Sequence, residues 1–144
     1  MTSVRRTMLT DVVLSTIISI VLHQTMINAC TPFTPGYHVK IVNDLPRGSP
    51  QLRFTCKSKD TDLGNHVLER LRVYEWKFCE NIIQTTLFFC TFHWGTKHQS
   101  FEVFNSKLNQ ECVLDSLCDW YAKGDGFYFL DKRGLDAKRY DWLN

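Results

Sequence analysis

From residue 37 onward, apolar and polar side chains alternate with a period of two, in short runs broken by turn residues. Such alternation is the mark of half-buried β-strands. Residues 37–43 open the series, with Tyr37, Val39 and Ile41 on one face. Residues 51–57 follow, with Leu52, Phe54 and Cys56 on one side and Arg53, Thr55 and Lys57 on the other. Residues 72–78 place Tyr74, Trp76 and Phe78 opposite Glu75 and Lys77. Residues 85–94 form the strongest run, with Phe88, Cys90, Phe92 and Trp94 sharing a face. The run is apolar on both faces for part of its length, as in a central strand. Residues 99–105, 119–123 and 127–131 complete the predicted set.

Between them, residues 43–50 are dense in turn formers, 57–62 are charged, and 79–84 form a loop with two isoleucines. Residues 106–111 read as polar and exposed, and 124–126 as a hairpin turn. Residues 66–71 fit no single pattern. The tail, 132–144, either adds an edge strand or stays mobile. No helical period of useful length appears after residue 29. Seven or so short strands separated by turn signals predict an all-β fold, a small antiparallel β-sandwich.

The first 29 residues break the pattern. Arg5 and Arg6 precede an apolar run at 12–22, and Ile27-Asn28-Ala29 offers a cleavage site. This arrangement predicts a secretory signal peptide over 1–29 and one domain over 30–144. The run is shorter than the ~20 residues a membrane span needs, so no membrane insertion of the mature chain is expected.

Composition narrows the function classes. The chain has 17 basic and 15 acidic residues, and losing Arg5, Arg6 and Asp11 with the leader leaves a net charge of about +1. Neither nucleic-acid binding nor anionic-membrane binding gains anything from so small a field. Six cysteines in an exported chain of this size predict stabilising disulfides. Cys56 and Cys90 each face inward among aromatics on a predicted strand, which suggests a bond across the core. Cys112 and Cys118 would close a short loop. Cys30 and Cys79 either pair or stay free. Spacing alone leaves fifteen connectivities open.

Candidate chemistry is sparse. Lys57, Lys59, Asp60 and Asp62 put both charge signs in one loop, suited to recognition of a partner. The loop lacks the ligand spacing and flanking helices of a calcium loop. His93 and His98 flank a turn, but paired Cys or His at zinc spacing are missing, so no metal and no cofactor are predicted. Asp115 and Asp119 are ordinary acids, and no nucleophile motif is present, which predicts no enzyme. Tyr74, Trp76, Phe88, Phe92, Trp94 and Trp120 recur at strand period and are expected in the core.

Several stretches together resemble the plant self-incompatibility proteins, the S-protein homologue family. They are Val-x-Ile-Val-Asn-Asp-Leu at 39–45, Cys56 leading CKSKDTDLG after a Leu-x-Phe strand, and Thr-x-Phe-x-Cys-x-Phe-x-Trp ending at Trp94. Later landmarks are Phe101-x-Val-Phe104, Cys112, Cys118-x-Trp120 and Gly126-Phe127-Tyr128, all in the family's order. The resemblance covers residues 37–132 and implies a secreted β-sandwich with disulfides Cys56–Cys90 and Cys112–Cys118. It also implies a monomeric extracellular ligand read by a plant cell-surface membrane protein. A stigma protein of this kind is recognised by a pollen membrane protein and leads to arrest of incompatible pollen. Cys79 is an addition to the family pattern, and no Asn-x-Ser/Thr site is present, whereas some relatives are glycosylated. Expected recognition loops are 57–62, 43–49 and 106–111. The competing expectation is a secreted defence or carbohydrate-binding module.

Overall fold

A computed structural model describes residues 13–15, 30, 33–114 and 116–144. The chain divides into a unit Met1–Thr31 and a unit Pro32–Asn144. In the first, Val13, Leu14 and Ser15 are helical and exposed; the remainder of the expected leader, including Arg5, Arg6 and Ala29, lies outside the described residues.

Among the described residues, the second unit forms β1 (Gly36–Asp44), β2 (Leu52–Lys57), β3 (Asp62–Leu68), β4 (Val73–Cys79), β5 (Phe88–Trp94), β6 (Lys97–Phe104), β7 (Leu117–Lys123), β8 (Gly126–Leu130) and β9 (Asp136–Tyr140). They make two sheets, one ordered β4-β1-β7-β8-β9 and the other β3-β2-β5-β6. The fold is all-β, as the period-two pattern predicts. It departs from a purely antiparallel sandwich at one seam, where β1 and β7 run parallel. Both strands carry apolar residues inward and sit inside the sheet, buried by neighbours on either side, where parallel pairs are usually found.

Two strands are additions to the predicted set. β3 occupies part of the expected charged loop and of the ambiguous stretch after it. Gly64 sits there at φ +79°, and the β2–β3 register slips between Thr55 and Lys57. A bulge of this kind breaks the alternation by which a strand is read. β9 is the edge strand that the tail offered as one of two options. Residues beyond it cross to the other sheet, where Leu143 and His98 exchange both backbone hydrogen bonds at 2.9 Å. Trp142 donates from Nε1 to the Lys123 carbonyl at 2.8 Å and packs on Phe127 and Trp94.

The core lies between the sheets. Trp120 is 1% exposed and donates from Nε1 to the Val103 carbonyl across the interface at 2.9 Å. Phe101 and Phe129 pack on it at ring centroids 4.8 and 4.9 Å, and Phe54, Phe92 and Phe127 are buried in the same core. A buried indole N–H usually finds an acceptor, and here the facing β6 carbonyl supplies one. At the open edge between β3 and β4, His66 lies against Tyr74 with ring centroids 3.8 Å apart and donates from Nε2 to the Leu63 carbonyl, 2.7 Å away.

Candidate functional site

The strand order sorts the loops onto two ends of the sandwich. Residues 45–51, 69–72, 95–96 and 124–125 lie at one end. Residues 58–61, 80–87, 105–116 and 131–135 lie at the other, with the lead-in to β1. The predicted loops therefore separate: 57–62 and 106–111 share the second end, and 43–49 lies at the first.

Residues 43–49 are held by the fold. Asn43 is buried, donates from Nδ2 to the Leu68 carbonyl at 2.8 Å, and accepts the Leu45 amide on Oδ1 at 3.1 Å. Leu45 is itself buried, and its carbonyl accepts from Arg70 Nε at 3.1 Å. Asn43 and Leu45 thus serve packing, because a buried amide satisfies backbone groups that water cannot reach.

At the second end the charged loop is shorter than expected. Lys57 ends β2 and Asp62 begins β3, and the two face each other in the ladder. Only residues 58–61 turn, through an amide of Ser58 donating to the Thr61 carbonyl at 2.7 Å and a Ser58 hydroxyl accepting the Thr61 amide at 3.0 Å. Asp62 accepts the Gly64 amide at 2.8 Å. Lys59 and Asp60 stand at the tip, exposed, with no hydrogen bond or ion pair among the described residues. The turn is thus shaped by Ser58 and Asp62, which leaves Lys59 and Asp60 free to contact something else.

Residues 80–87 form the neighbouring loop. Asn81 braces it, with Oδ1 accepting the Thr85 amide at 2.7 Å and Nδ2 donating to the Thr85 hydroxyl at 2.9 Å. Its own amide donates to the Thr86 hydroxyl at 3.0 Å. Glu80 is buried beneath, where Oε1 accepts from the Ser106 hydroxyl at 2.8 Å and the Glu80 amide donates to Pro35 O at 2.9 Å. Ser106 also contacts the Gln84 carbonyl. The predicted exposed stretch 106–111 is therefore tied down, and Leu108–Glu111 forms a 3-10 turn. Asn105 starts that turn by accepting the Lys107 and Leu108 amides at 2.9 and 2.8 Å. A Glu inside a loop carried no sequence signal of burial; its partners, Ser106 and Asn109, come from a distant segment.

Two clefts flank residues 85–87. One, of about 470 Å³, is bounded by 58–61 on one wall and by Ile83, Leu87 and Phe88 on the other. The second, of about 410 Å³, has Leu87 against Glu102, Asn105 and Lys107. These are open surface clefts, with charged and apolar groups in the same wall.

Five cysteines, Cys56, Cys79, Cys90, Cys112 and Cys118, gather at this end. Cys56 bonds Cys90 with a Cα separation of 4.1 Å, and Cys112 bonds Cys118 at 4.7 Å. The first bond corrects the expectation of a bridge across the core. Cys56 and Cys90 face each other directly on β2 and β5, neighbours in one sheet. Both strands turn the same face inward, so their cysteines meet side by side. Cys30 and Cys79 are also oxidised, so no cysteine is free. The Cys112–Cys118 ring holds Leu114 at its apex at φ +49°, where Val113 and Leu117 exchange backbone hydrogen bonds at 2.8 and 2.9 Å. Asp115, one of the acids weighed above, lies outside the described residues.

The remaining candidates disperse. Asp119 is on the outer face of β7, nearly buried, 3.7 Å from Lys40 Nζ. His93 and His98 stand opposite each other on β5 and β6, ring centroids 6.5 Å apart. Among the described residues no group of three or more His, Cys, Asp or Glu could hold a metal ion. Tyr121 and Tyr128 pair on the outer face of the larger sheet. Lys123 Nζ lies over both rings, 4.4 Å from the Tyr128 centroid and 5.8 Å from that of Tyr121. Asp136 holds the ammonium there at 2.8 Å and so raises the Lys123 pKa. The Lys123 ammonium thus occupies one side of this tyrosine pair.

The family model described as plant self-incompatibility protein S1 matches residues 38–142. The chain is similar to S-protein homolog 5 of Arabidopsis thaliana, 39% identical over 95 residues, which are 66% of this chain and 70% of that protein. It is also similar to S-protein homolog 29 of the same plant, 33% identical over 113 residues, covering 76% and 79% of the two. A solved structure of SPH (Self-Incompatibility Protein Homologue) proteins, described as a widespread family of small, highly stable, secreted proteins from plants, superposes with a TM-score of 0.60. It covers 77% of this chain and 97% of its own at 18% identity, so the likeness is one of fold.

Proposed function

The chain belongs to the plant self-incompatibility protein S1 family, and from that premise we propose that it is a small secreted ligand, read by a plant cell-surface membrane protein through loops at one end of its sandwich. The observation that carries this reading is the tip of residues 58–61. Lys59 and Asp60 project beside an open cleft and have no part in holding their own turn. Charged groups so placed orient a partner and set the association rate more than they add affinity. The disulfides and Asn81 fix the loop backbones, so less freedom is lost on binding. Export rests on Arg5, Arg6, the apolar run at 12–22 and Ala29.

The test has two parts. Expressed in plant cells with a C-terminal tag, the protein should reach the medium with a new N-terminus near Cys30; an uncleaved cytosolic form would overturn export. Lys59→Ala with Asp60→Ala should then weaken binding to plant plasma-membrane preparations while the melting temperature stays put. Protease treatment of those membranes should abolish binding of the parent protein. Binding that survives protease, or moves to isolated wall glycans, would favour the defence or carbohydrate reading instead.

A further inference from the structure

Each sheet has two edge strands, and an edge strand is a template for pairing with another chain unless something guards it. Three of the four edges are guarded. β6 is covered by the tail, where Leu143 and His98 exchange backbone hydrogen bonds at 2.9 Å and Gln99 Nε2 donates to the Asp141 carbonyl at 2.7 Å. β9 is five residues long, and its ladder with β8 slips between Phe127 and Tyr128. β3 is interrupted by Gly64 at φ +79° and by the slip against β2. β4 has none of these devices. It pairs with β1 over seven consecutive residues without a slip and contains neither proline nor glycine.

The outward side of β4 follows from its bonded side. The β1–β4 ladder is flanked by the Asn43 amide on the Arg72 carbonyl at 3.0 Å and by the Glu80 amide on the Pro35 carbonyl at 2.9 Å. Bonding alternates along an antiparallel ladder, so between these two points Tyr74 and Trp76 bond to β1. Val73, Glu75 and Lys77 turn their amides and carbonyls to the open edge, with no partner strand among the described residues.

The sequence along this edge is complementary to itself. In an antiparallel pair of two β4 strands about a two-fold at Trp76, Glu75 faces the partner's Lys77, and Lys77 faces the partner's Glu75. Both residues present outward backbone groups, so each facing pair can exchange both main-chain hydrogen bonds. A two-fold at Glu75 or at Lys77 would instead set like charges opposite each other, which destabilises a strand pair. Glu75 lies 3.3 Å from His38 Nε2 with its side chain still 54% exposed, and Lys77 has no ion pair among the described residues. β9 repeats the acid–base spacing at Asp136 and Lys138, but there the charges are spent within the chain, on Lys123 at 2.8 Å and on Asp141 at 2.7 Å.

Exposed apolar side chains fit the same two-fold. Leu71 at 59% and Val73 at 48% stand at one end of β4, and Ile82 and Ile83 at 76% stand just beyond the other. Antiparallel pairing lays the first end of each strand beside the second end of its partner. It thus brings the two apolar groups of opposite copies together, where both can leave water.

We propose that two copies of this chain associate through their β4 edges about a two-fold at Trp76, joining the two five-stranded sheets into one. The pairing departs from the single copy that the family resemblance implies, and it is independent of the receptor reading. Because the two strands run antiparallel, the Lys59–Asp60 tips of the two copies point in opposite directions.

The test is sedimentation of the chain recovered from the medium of expressing plant cells, free of membranes. Concentrations should reach about 1 mM, because a single strand edge belongs among the small, weak interfaces. The parent should pass from one copy to two as concentration rises. Lys77→Glu should weaken association at least about tenfold, since both facing pairs turn repulsive. Glu75→Lys should do the same. Both substitutions in one chain exchange the charges and should restore the dimer, and mixing the two single variants should give a heterodimer. Leu71→Asp should weaken association, and Lys138→Glu on β9 should leave it unchanged. Melting temperatures at low concentration should match the parent, because these side chains are exposed. A parent that stays single up to about 1 mM, a double variant no tighter than the single ones, or equal loss in Lys138→Glu overturns the proposal. Lys59→Ala with Asp60→Ala should dimerise like the parent, so the receptor reading and this one fail in separate measurements.

Discussion

At the end built from residues 45–51, 69–72, 95–96 and 124–125, noncovalent contacts do the holding: Asn43 bonds two backbone groups, Arg70 caps Leu45, and Trp94 packs on Trp142. At the other end Cys56–Cys90 and Cys112–Cys118 do it, with Asn81 and buried Glu80 assisting. The loops explain the contrast. Turns at 95–96 and 124–125 are as short as hairpins allow, and tight hairpins need little restraint. Residues 80–87 and 105–116 are long, and closing long segments costs entropy that packing of polar loops cannot recover. Covalent links are placed where the chain would otherwise wander, which frees the side chains there to be exposed.

The comparison breaks first at the disulfide. Replacing Cys56 and Cys90 together with Ala should lower stability by roughly 3–4 kcal/mol, the loop-closure value for their spacing, read as a shift of the urea midpoint. Loss of less than ~1 kcal/mol would mean that the covalent end holds itself by packing after all. Asn43→Ala tests the other end. It strips the Leu45 amide and the Leu68 carbonyl of their partner, costing roughly 2–3 kcal/mol, with faster hydrogen exchange at Leu45.

Gly126 sharpens the contrast. It sits at φ +151°, and a Cβ there would lie 2.2 Å from the Tyr140 carbonyl oxygen. Gly126→Ala should cost roughly 1–3 kcal/mol and loosen β9, seen as protease cleavage near residue 140, while both disulfides stay intact.

Much of this was legible in the chain. The alternation around Trp76, Phe92 and Phe101 gave their strands and their inward faces, because period two has one meaning when a single face is buried. The pairing of Cys56 with Cys90 followed from the same alternation, but not their adjacency in one sheet: facing inward is shared by neighbours and by opposite partners. β3 was hidden by the bulge at Gly64. The parallel seam of β1 and β7 was invisible, since direction leaves no trace in a side-chain pattern. At the recognition end, the charges of Lys59 and Asp60 announced themselves, whereas Ile82 and Ile83 read as ordinary loop apolars until the fold left them uncovered.

Smaller effects complete the series. Asp60→Ala with Asp62→Ala should change stability by less than about 1 kcal/mol, because exposed charges contribute little; a larger drop in melting temperature would show that Asp62 holds its turn more firmly than its one bond to Gly64 implies. Smallest is a pH effect. Arg133 bonds the Asp131 carboxylate, aided by the Arg133 and Leu135 amides, and holds its pKa below the ordinary 3.8. A carboxylate lowered on folding contributes fully above its ordinary value and loses that contribution as pH falls through the lowered one. Exchange of the Leu135 amide should therefore be insensitive to Asp131 at neutral pH and rise only below pH 3.8.

The parallel seam also bears on how the chain reaches this state. β1 is the first strand made, yet it lies between β4 and β7. Its partner on one side arrives only when residues 117–123 have been synthesised. Until then β1 presents an open ladder edge carrying Val39 and Ile41, and sheet closure awaits contacts between distant parts of the chain. High contact order of this kind slows folding and prolongs exposure of sticky edges. Cys56 and Cys90 belong to the other sheet and are both in place long before β7. The sheet β3-β2-β5-β6 is therefore complete along the chain before β7 is made, and its disulfide has both partners while β1 still waits.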